Sequence, residues 1–117
     1  MTRNEFKART KAYALRVIKV VDALPRDTVA KTLGHQLLRS GTSVAANYRA
    51  SVRAKSTADF ISKMGIVEEE CDESLLWMEL LIESGRMKPA RLADLMGEGG
   101  EILAITVASI KTARRGR

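Results

Sequence analysis

The chain has 117 residues, of which 45% are hydrophobic and only 4% aromatic, with two prolines and one cysteine. That composition excludes a disordered chain, a lone Cys71 excludes an internal disulfide, and no apolar run approaches the roughly 20 residues that cross a bilayer. The net charge is +6, and the charged start MTRNEFKARTK leads into no signal-peptide core, so we expect one cytoplasmic domain over residues 1–117.

Four helices are predicted, because the apolar residues are mostly unbranched or aliphatic and recur at three- and four-residue steps. The first stops before Pro25, and the second is capped by Asp27 or Thr28. Ser56 caps the third and Pro89 opens the fourth. The predicted bounds are about 4–24, 28–54, 57–84 and 89–113. Short connections between helices of similar length predict an all-α, antiparallel up-down-up-down four-helix bundle.

The third helix carries the clearest core seam. Its members follow a 4-3-4-3-4-3 spacing: Phe60, Met64, Val67, Cys71, Ser74, Met78 and Leu81. Cys71 is therefore interpreted as a small buried hydrophobe. Ile66, Trp77 and Leu80 lie on another arc and predict a second buried surface, unless Trp77 simply packs on a nearby loop.

The second helix has three lines of residues beside its charged strip. Leu33, Leu37, Val44 and Tyr48 form the predicted core line. A mostly small line, which we assign to an oligomer interface, consists of Gly34, Leu38, Gly41 and Ala45. A polar line consists of Gln36, Ser40, Ser43 and Asn47. So much of the helix surface is poor in charge that we expect the protein to self-associate. The alternative is an ordinary exposed surface that tolerates substitution, of which small residues are also typical.

Three glycines interrupt the apolar pattern of the fourth helix. Gly97, Gly99 and Gly100 each cost about 1 kcal/mol relative to alanine in a helix interior. They predict either a close helix crossing or a kink.

Residues for catalysis or metal binding are scarce. The acidic run from Glu68 to Glu73 suggests a di-metal site, but such bundle sites need Glu-x-x-His pairs, and the single His35 has no Glu three residues before it. One His and one Cys provide no nucleophilic triad or pair. We predict no catalytic residues, no metal and no cofactor. A small helical enzyme, with the polar line facing an internal pocket, stays an alternative.

Basic residues gather at the predicted end of the bundle where the first helix starts, the second meets the third, and the fourth ends. Residues 1–55 hold 12 basic and 3 acidic side chains, and residues 86–117 hold 7 and 3, whereas residues 56–85 hold 1 and 8. The predicted nucleic-acid contacts are Arg3, Lys7, Arg9, Lys11, Arg49, Arg53, Lys55, Lys111, Arg114, Arg115 and Arg117. Because few aromatic residues accompany them, recognition of shape and charge is expected.

The stretch from Leu33 to Gly85 resembles a bacterial four-helix-bundle protein family. That family includes proteins encoded by intervening sequences within large-subunit ribosomal RNA genes, and the accessory variability determinant of diversity-generating retroelements is a relative. The residues carrying the resemblance are Gln36, Arg39, Ser43 and Asn47 on helix two, and Ser56, Phe60, Glu70, Glu73, Ser74, Trp77 and Glu79 on helix three. The sequence departs from the family at residues 47–51, where Asn-Tyr-Arg-Ala-Ser replaces a segment that often reads Asn-Ile-Ala-Glu-Gly.

The resemblance implies a ring-shaped homopentamer with a basic surface, associated with structured nucleic acid and, in the retroelement branch, with a reverse transcriptase. It also implies a shared polar set of Gln36, Arg39, Ser43, Asn47 and Glu70. We expect the polar line of Gln36, Ser40, Ser43 and Asn47 to hydrogen-bond to Glu70 and to neighbouring backbone across the contact between helices two and three. The leading hypothesis is a non-enzymatic, oligomeric RNA-associated protein. The second is a protein-interaction scaffold that uses Ile66, Trp77 and Leu80 to assemble.

Overall fold

Four α-helices account for nearly all of residues 1–116, the part of the chain that the structure, a computed structural model, describes. They are α1 (Arg3–Asp22), α2 (Thr28–Val52), α3 (Thr57–Glu83) and α4 (Pro89–Arg115). Each end lies within two residues of its predicted position. No strand occurs among residues 1–116, which confirms the all-α prediction. None of the four helices combines the length and the apolar character needed to cross a membrane within this part of the chain.

The helix ends follow local rules of capping. The side chains of Thr2, Asp27 and Ser56 each accept a hydrogen bond from the backbone N–H three residues later, at 3.0–3.1 Å. Pro89 occupies the first turn of α4. After α3 the chain reverses at Gly85, whose φ of 79° is the left-handed conformation that glycine adopts without strain.

The helices pack as an antiparallel bundle. α2 lies between α1 and α3, α3 packs on α4, and the α1–α4 contact is the least extensive. Gly41 of α2 lies against Val17, whereas the earlier Gly34 lies against Val21 and Leu24, so α1 and α2 run in opposite directions. The result is a rod of 48 × 22 × 21 Å in which α1 and α3 are diagonally opposed.

The predicted seam of α3 forms the centre of the core. Every member is buried except Phe60, which is half-buried. Across the core, the Tyr13 hydroxyl of α1 lies 2.7 Å from Ser74 Oγ, which in turn donates to the Cys71 carbonyl at 2.6 Å. These bonds satisfy polar groups that would be costly to bury alone.

The sequence predicts either a close crossing or a kink at the glycines of α4, and the structure shows a close crossing at Gly99. α4 continues as one helix from Pro89 to Arg115. A Cβ at Gly99 would lie 2.8 Å from both Tyr13 Oη and Leu75 Cδ2. Gly97 and Gly100 face open space. Only Gly99 of the three is therefore required by packing.

Candidate nucleic-acid interface

Three segments of the chain meet at one end of the bundle, which we call the basic pole. A cleft of about 450 Å³ there is lined by Arg3 of α1, by the α2–α3 turn with the helix ends beside it, and by Ala113 and Gly116 at the end of α4. The lining residues around the turn are Ser51, Val52, Ala54, Lys55, Ser56, Thr57 and Phe60. The antiparallel topology makes this convergence obligatory, because α1 and α3 start where α2 and α4 end. The predicted basic segments are thus brought together.

Basic side chains at the pole are exposed and lack carboxylate partners within residues 1–116. Those that form no ion pair in this range are Arg3, Lys7, Lys11, Arg49, Arg53, Lys55, Lys111, Arg114 and Arg115. The acidic side chains nearest this end are Glu5 and Asp59, and Asp59 already pairs with Lys63 at 2.7 Å. The bond from Lys63 holds the pKa of Asp59 below its usual value. Positive charge at the pole is therefore mostly uncompensated. Arg117, the last predicted contact, lies outside the described residues.

A groove between α1 and α2 extends the pole along the bundle. It has a volume of about 480 Å³ and is lined by Asn4, Lys7, Lys11 and Arg49, with Ala8 and Ala45 between them. Small apolar residues beneath three cations make a surface that a phosphate backbone can approach closely.

Arg9 departs from the predicted set. Its guanidinium donates to both carboxylate oxygens of Glu98 at 2.7 Å and to Glu101 at 2.8 Å. The side chain is only 24% exposed. The hydrogen bonds from Arg9 hold the pKa of Glu98 below its usual value. Arg9 thus joins α1 to α4, and its charge is not available to a phosphate in this conformation.

Among residues 1–116, the aromatic side chain that lines the basic cleft is Phe60, which is half-buried. The rings of Phe6 and Tyr48 are buried and meet edge to face, with centroids 4.7 Å apart and planes at 89°. Burial raises the pKa of Tyr48. Both aromatic side chains serve the core, so the pole offers charge and shape to a ligand.

The shared polar set lies at the α2–α3 contact but bonds differently from the prediction. Arg39 carries the link to α3: it donates to Glu70 and to Glu73, each at 2.9 Å. Ser40 Oγ and Asn47 Nδ2 instead donate to carbonyls of their own helix. The polar line of α2 therefore packs beside α3 without bonding to Glu70, because short side chains reach their own backbone first.

The two glycines of the small-residue line of α2 pack against α1 of the same chain. A Cβ at Gly34 would lie 2.9 Å from Leu24 Cδ1, and one at Gly41 would lie 2.8 Å from both Val17 methyl groups. Leu38 and Ala45, on the same side, are partly buried. The helix that this line admits is α1 of the same chain, so the assignment of Gly34 and Gly41 to an oligomer interface is wrong.

The outer arc of α3 does present apolar groups. Ile66 is 41% and Leu80 37% exposed, and Leu76, which the sequence analysis did not single out, is 44% exposed. Trp77 is half-buried and packs on the core, with its indole N–H buried and unpartnered within residues 1–116. Trp77 is therefore more a core residue than an exposed anchor.

Two further exposed apolar side chains lie on α1. Leu15 is 54% and Ile18 37% exposed. Both lie outside the predicted α1 face of Phe6, Tyr13 and Val17, so helical phase alone could have identified them.

The buried chemistry of the core is inert. Burial, with the nearby Asp72 carboxylate, raises the pKa of the Cys71 thiol to about 12. The thiol donates a hydrogen bond to the Gly99 carbonyl at 3.3 Å. Among residues 1–116, no three His, Cys, Asp or Glu side chains come together as a metal site would require.

Fold and surface define a small four-helix protein whose principal surface feature is one strongly basic end. Residues 3–108 match the model of the 23S rRNA-intervening sequence protein family, and the chain belongs to that family. The crystal structure of a Bacteroides thetaiotaomicron protein of unknown function, from the S23 ribosomal protein family, is similar to this chain. The two share 32% identity and a TM-score of 0.87, over 95% of this chain and 99% of the other. A comparison with curated proteins found no match. The resemblance stated from the sequence is thereby confirmed.

Proposed function

We propose that this protein is a non-enzymatic RNA-associated protein whose basic pole contacts the phosphates of a structured RNA. The observation that carries the proposal is the concentration of unpaired cations at one end. Of the eight α3 acids, only Asp59 lies near this end, where it is paired with Lys63, and the other seven lie further along the helix, from Glu68 to Glu83. The name of the family, which refers to intervening sequences of 23S rRNA, makes structured RNA the first ligand to test.

The geometry of the pole favours recognition by shape and charge. The cleft includes Arg3 and Lys55, and the α1–α2 groove includes Lys7, Lys11 and Arg49, so basic side chains line both. The rings of Phe6 and Tyr48 are buried in the core, and the half-buried Phe60 lines the cleft. A-form RNA presents regularly spaced phosphates and 2′-hydroxyls, which such a surface recognises without reading bases.

Self-association belongs to the same proposal. The resemblance implies a ring-shaped homopentamer, and a ring would place several copies of the pole side by side. Because each phosphate neutralised releases a counterion, neighbouring poles would raise affinity for a long folded RNA.

The proposal is tested by the salt dependence of binding. Fluorescence anisotropy with a labelled RNA hairpin and a matched DNA duplex, each from 50 to 300 mM KCl, gives a slope of log K against log salt. Five to nine phosphate contacts predict a slope of roughly −4 to −8. Binding that is absent near physiological salt would reject RNA and leave a protein-interaction scaffold, the function that the exposed apolar groups of α3 favour.

A further inference from the structure

Exposed apolar side chains concentrate on two diagonally opposed helices. Five of the seven large hydrophobic residues that are exposed within residues 1–116 lie on α1 or α3: Leu15, Ile18, Ile66, Leu76 and Leu80. The other two are Met1 and Val29. We call Leu15 and Ile18 the α1 strip, and Ile66, Leu76 and Leu80 the α3 strip. Since α1 and α3 are opposed across the core, the two strips face away from each other.

The two strips carry opposite charge. Lys11 and Lys19 lie one turn from Leu15 on α1, and α1 as a whole has six basic and two acidic residues. Glu69 and Glu73 lie between Ile66 and Leu76, and α3 has eight acidic residues and one basic. Asp22 lies one turn from Ile18, and Glu73 is paired with Arg39 at 2.9 Å, so each strip has an excess of one sign of charge. Opposite excess charge on two surfaces is a basis for orienting and selecting a partner.

A groove of matching charge lies beside each strip. The basic α1–α2 groove includes Lys11. On the other side of the bundle, a groove of about 310 Å³ between α3 and α4 is lined by Glu68, Glu69 and Asp72 of α3 and by Leu103 and Val107 of α4. Each side of the rod thus combines apolar and charged surface, and the two sides are complementary.

We infer that the α1 strip of one copy packs against the α3 strip of a second copy, in a head-to-tail contact. An interface made from two different patches on opposite sides of a protomer is heterologous, so every copy uses both patches and the assembly closes into a ring or continues as a chain. This inference rests on the self-association in the proposed function and assigns its surfaces. It does not use Gly34 and Gly41 of α2, which α1 covers within one chain.

The test uses two variants of the full chain, L15E/I18E and L76K/L80K, whose mass is measured by analytical ultracentrifugation at about 100 µM. All four positions are exposed, so circular dichroism should show unchanged helicity. Each variant alone should be monomeric, because every contact needs both strips. Mixing the two should restore association, since the first keeps an intact α3 strip and the second an intact α1 strip.

Other outcomes overturn the inference. A wild-type protein that is monomeric at this concentration would contradict it. An L15E/I18E variant that keeps the wild-type mass would also contradict it, because it would point to an isologous contact through α3. Folded variants that stay monomeric when mixed would also contradict it. A salt titration of RNA binding by the same variants separates the two proposals, because each chain keeps one intact pole. RNA binding that persists while the measured masses contradict the strips would overturn the interface assignment and leave the proposed function standing.

Discussion

The guanidinium of Arg9 contacts both carboxylate oxygens of Glu98, through two hydrogen bonds of 2.7 Å. The pair joins α1 to α4, the two neighbouring helices with the least extensive contact. It also takes a cation out of the basic pole, so Arg9 and its sequence neighbour Lys11 have different roles although they carry the same charge.

Replacing Glu98 with Gln should lower the free energy of unfolding by about 1–2 kcal/mol at pH 7, because the charge-assisted bonds to Arg9 weaken in a partly exposed site. The folded state holds the pKa of Glu98 below its ordinary value. The stabilisation by the ionised Glu98 carboxylate is therefore fully present above the ordinary carboxyl pKa, and it is lost as the pH falls through the lower pKa of the folded state. The difference in unfolding free energy between the wild type and the variant should therefore shrink below about pH 4.

Urea denaturation at pH 7 and at pH 3 measures both effects. Glu79→Gln is the control, because Glu79 is exposed and forms no ion pair within residues 1–116. Equal stability of the Glu98→Gln variant and the wild type at pH 7 would show that the pair contributes nothing.

Gly41→Ala should destabilise the protein by about 1–3 kcal/mol, because the new methyl group would lie 2.8 Å from the Val17 side chain in a packed core. Gly100→Ala is the matched control. It adds the same atom to open space on a helix, and should stabilise by up to about 1 kcal/mol. Thermal unfolding followed by circular dichroism compares them, and a Gly41→Ala variant as stable as Gly100→Ala would refute the close α1–α2 contact.

The Cys71 thiol should react with a disulfide reagent only when the chain unfolds. Its side chain is buried and burial raises its pKa to about 12, so the reactive thiolate is almost absent in the folded state. Because the unfolded thiol ionises at about pH 8.5, stability should also decline as the pH rises above that value. A Cys71→Ala/Ser62→Cys variant, with an exposed thiol, is the control and should react at once. Rapid reaction of wild-type Cys71 under native conditions would contradict its burial.

Helix bounds and the core seam could be predicted from sequence because they depend on residues close together in the chain. Ser56 caps α3 and Gly85 ends the turn after it through local backbone geometry. The repeat from Met64 to Leu81 fixes one face by period alone. Convergence of the basic segments followed equally from topology.

The partners of each face could not be predicted in the same way. Helical phase shows that Gly34 and Gly41 admit a close neighbour, but not whether that neighbour is α1 or another chain. The bond between Arg9 and Glu98 joins residues 89 positions apart, and depends on how α1 and α4 cross. Such contacts are set by tertiary packing, which the residue pattern of a single helix does not determine.

The central claim, that the pole contacts RNA phosphates, is tested most directly by moving the same charge change from one end of the rod to the other. The variant R3E/K55E/R114E/R115E reverses the pole, and R26E/K31E/K88E/R91E reverses four exposed cations at the opposite end, so both have the same net charge. With a labelled RNA hairpin, the pole variant should lose at least about 100-fold in affinity and flatten the salt slope by about 3, whereas the opposite-end variant should stay within a few-fold of wild type. Equal loss in the two variants would show that overall charge, and not the pole, holds the RNA, and would contradict the account.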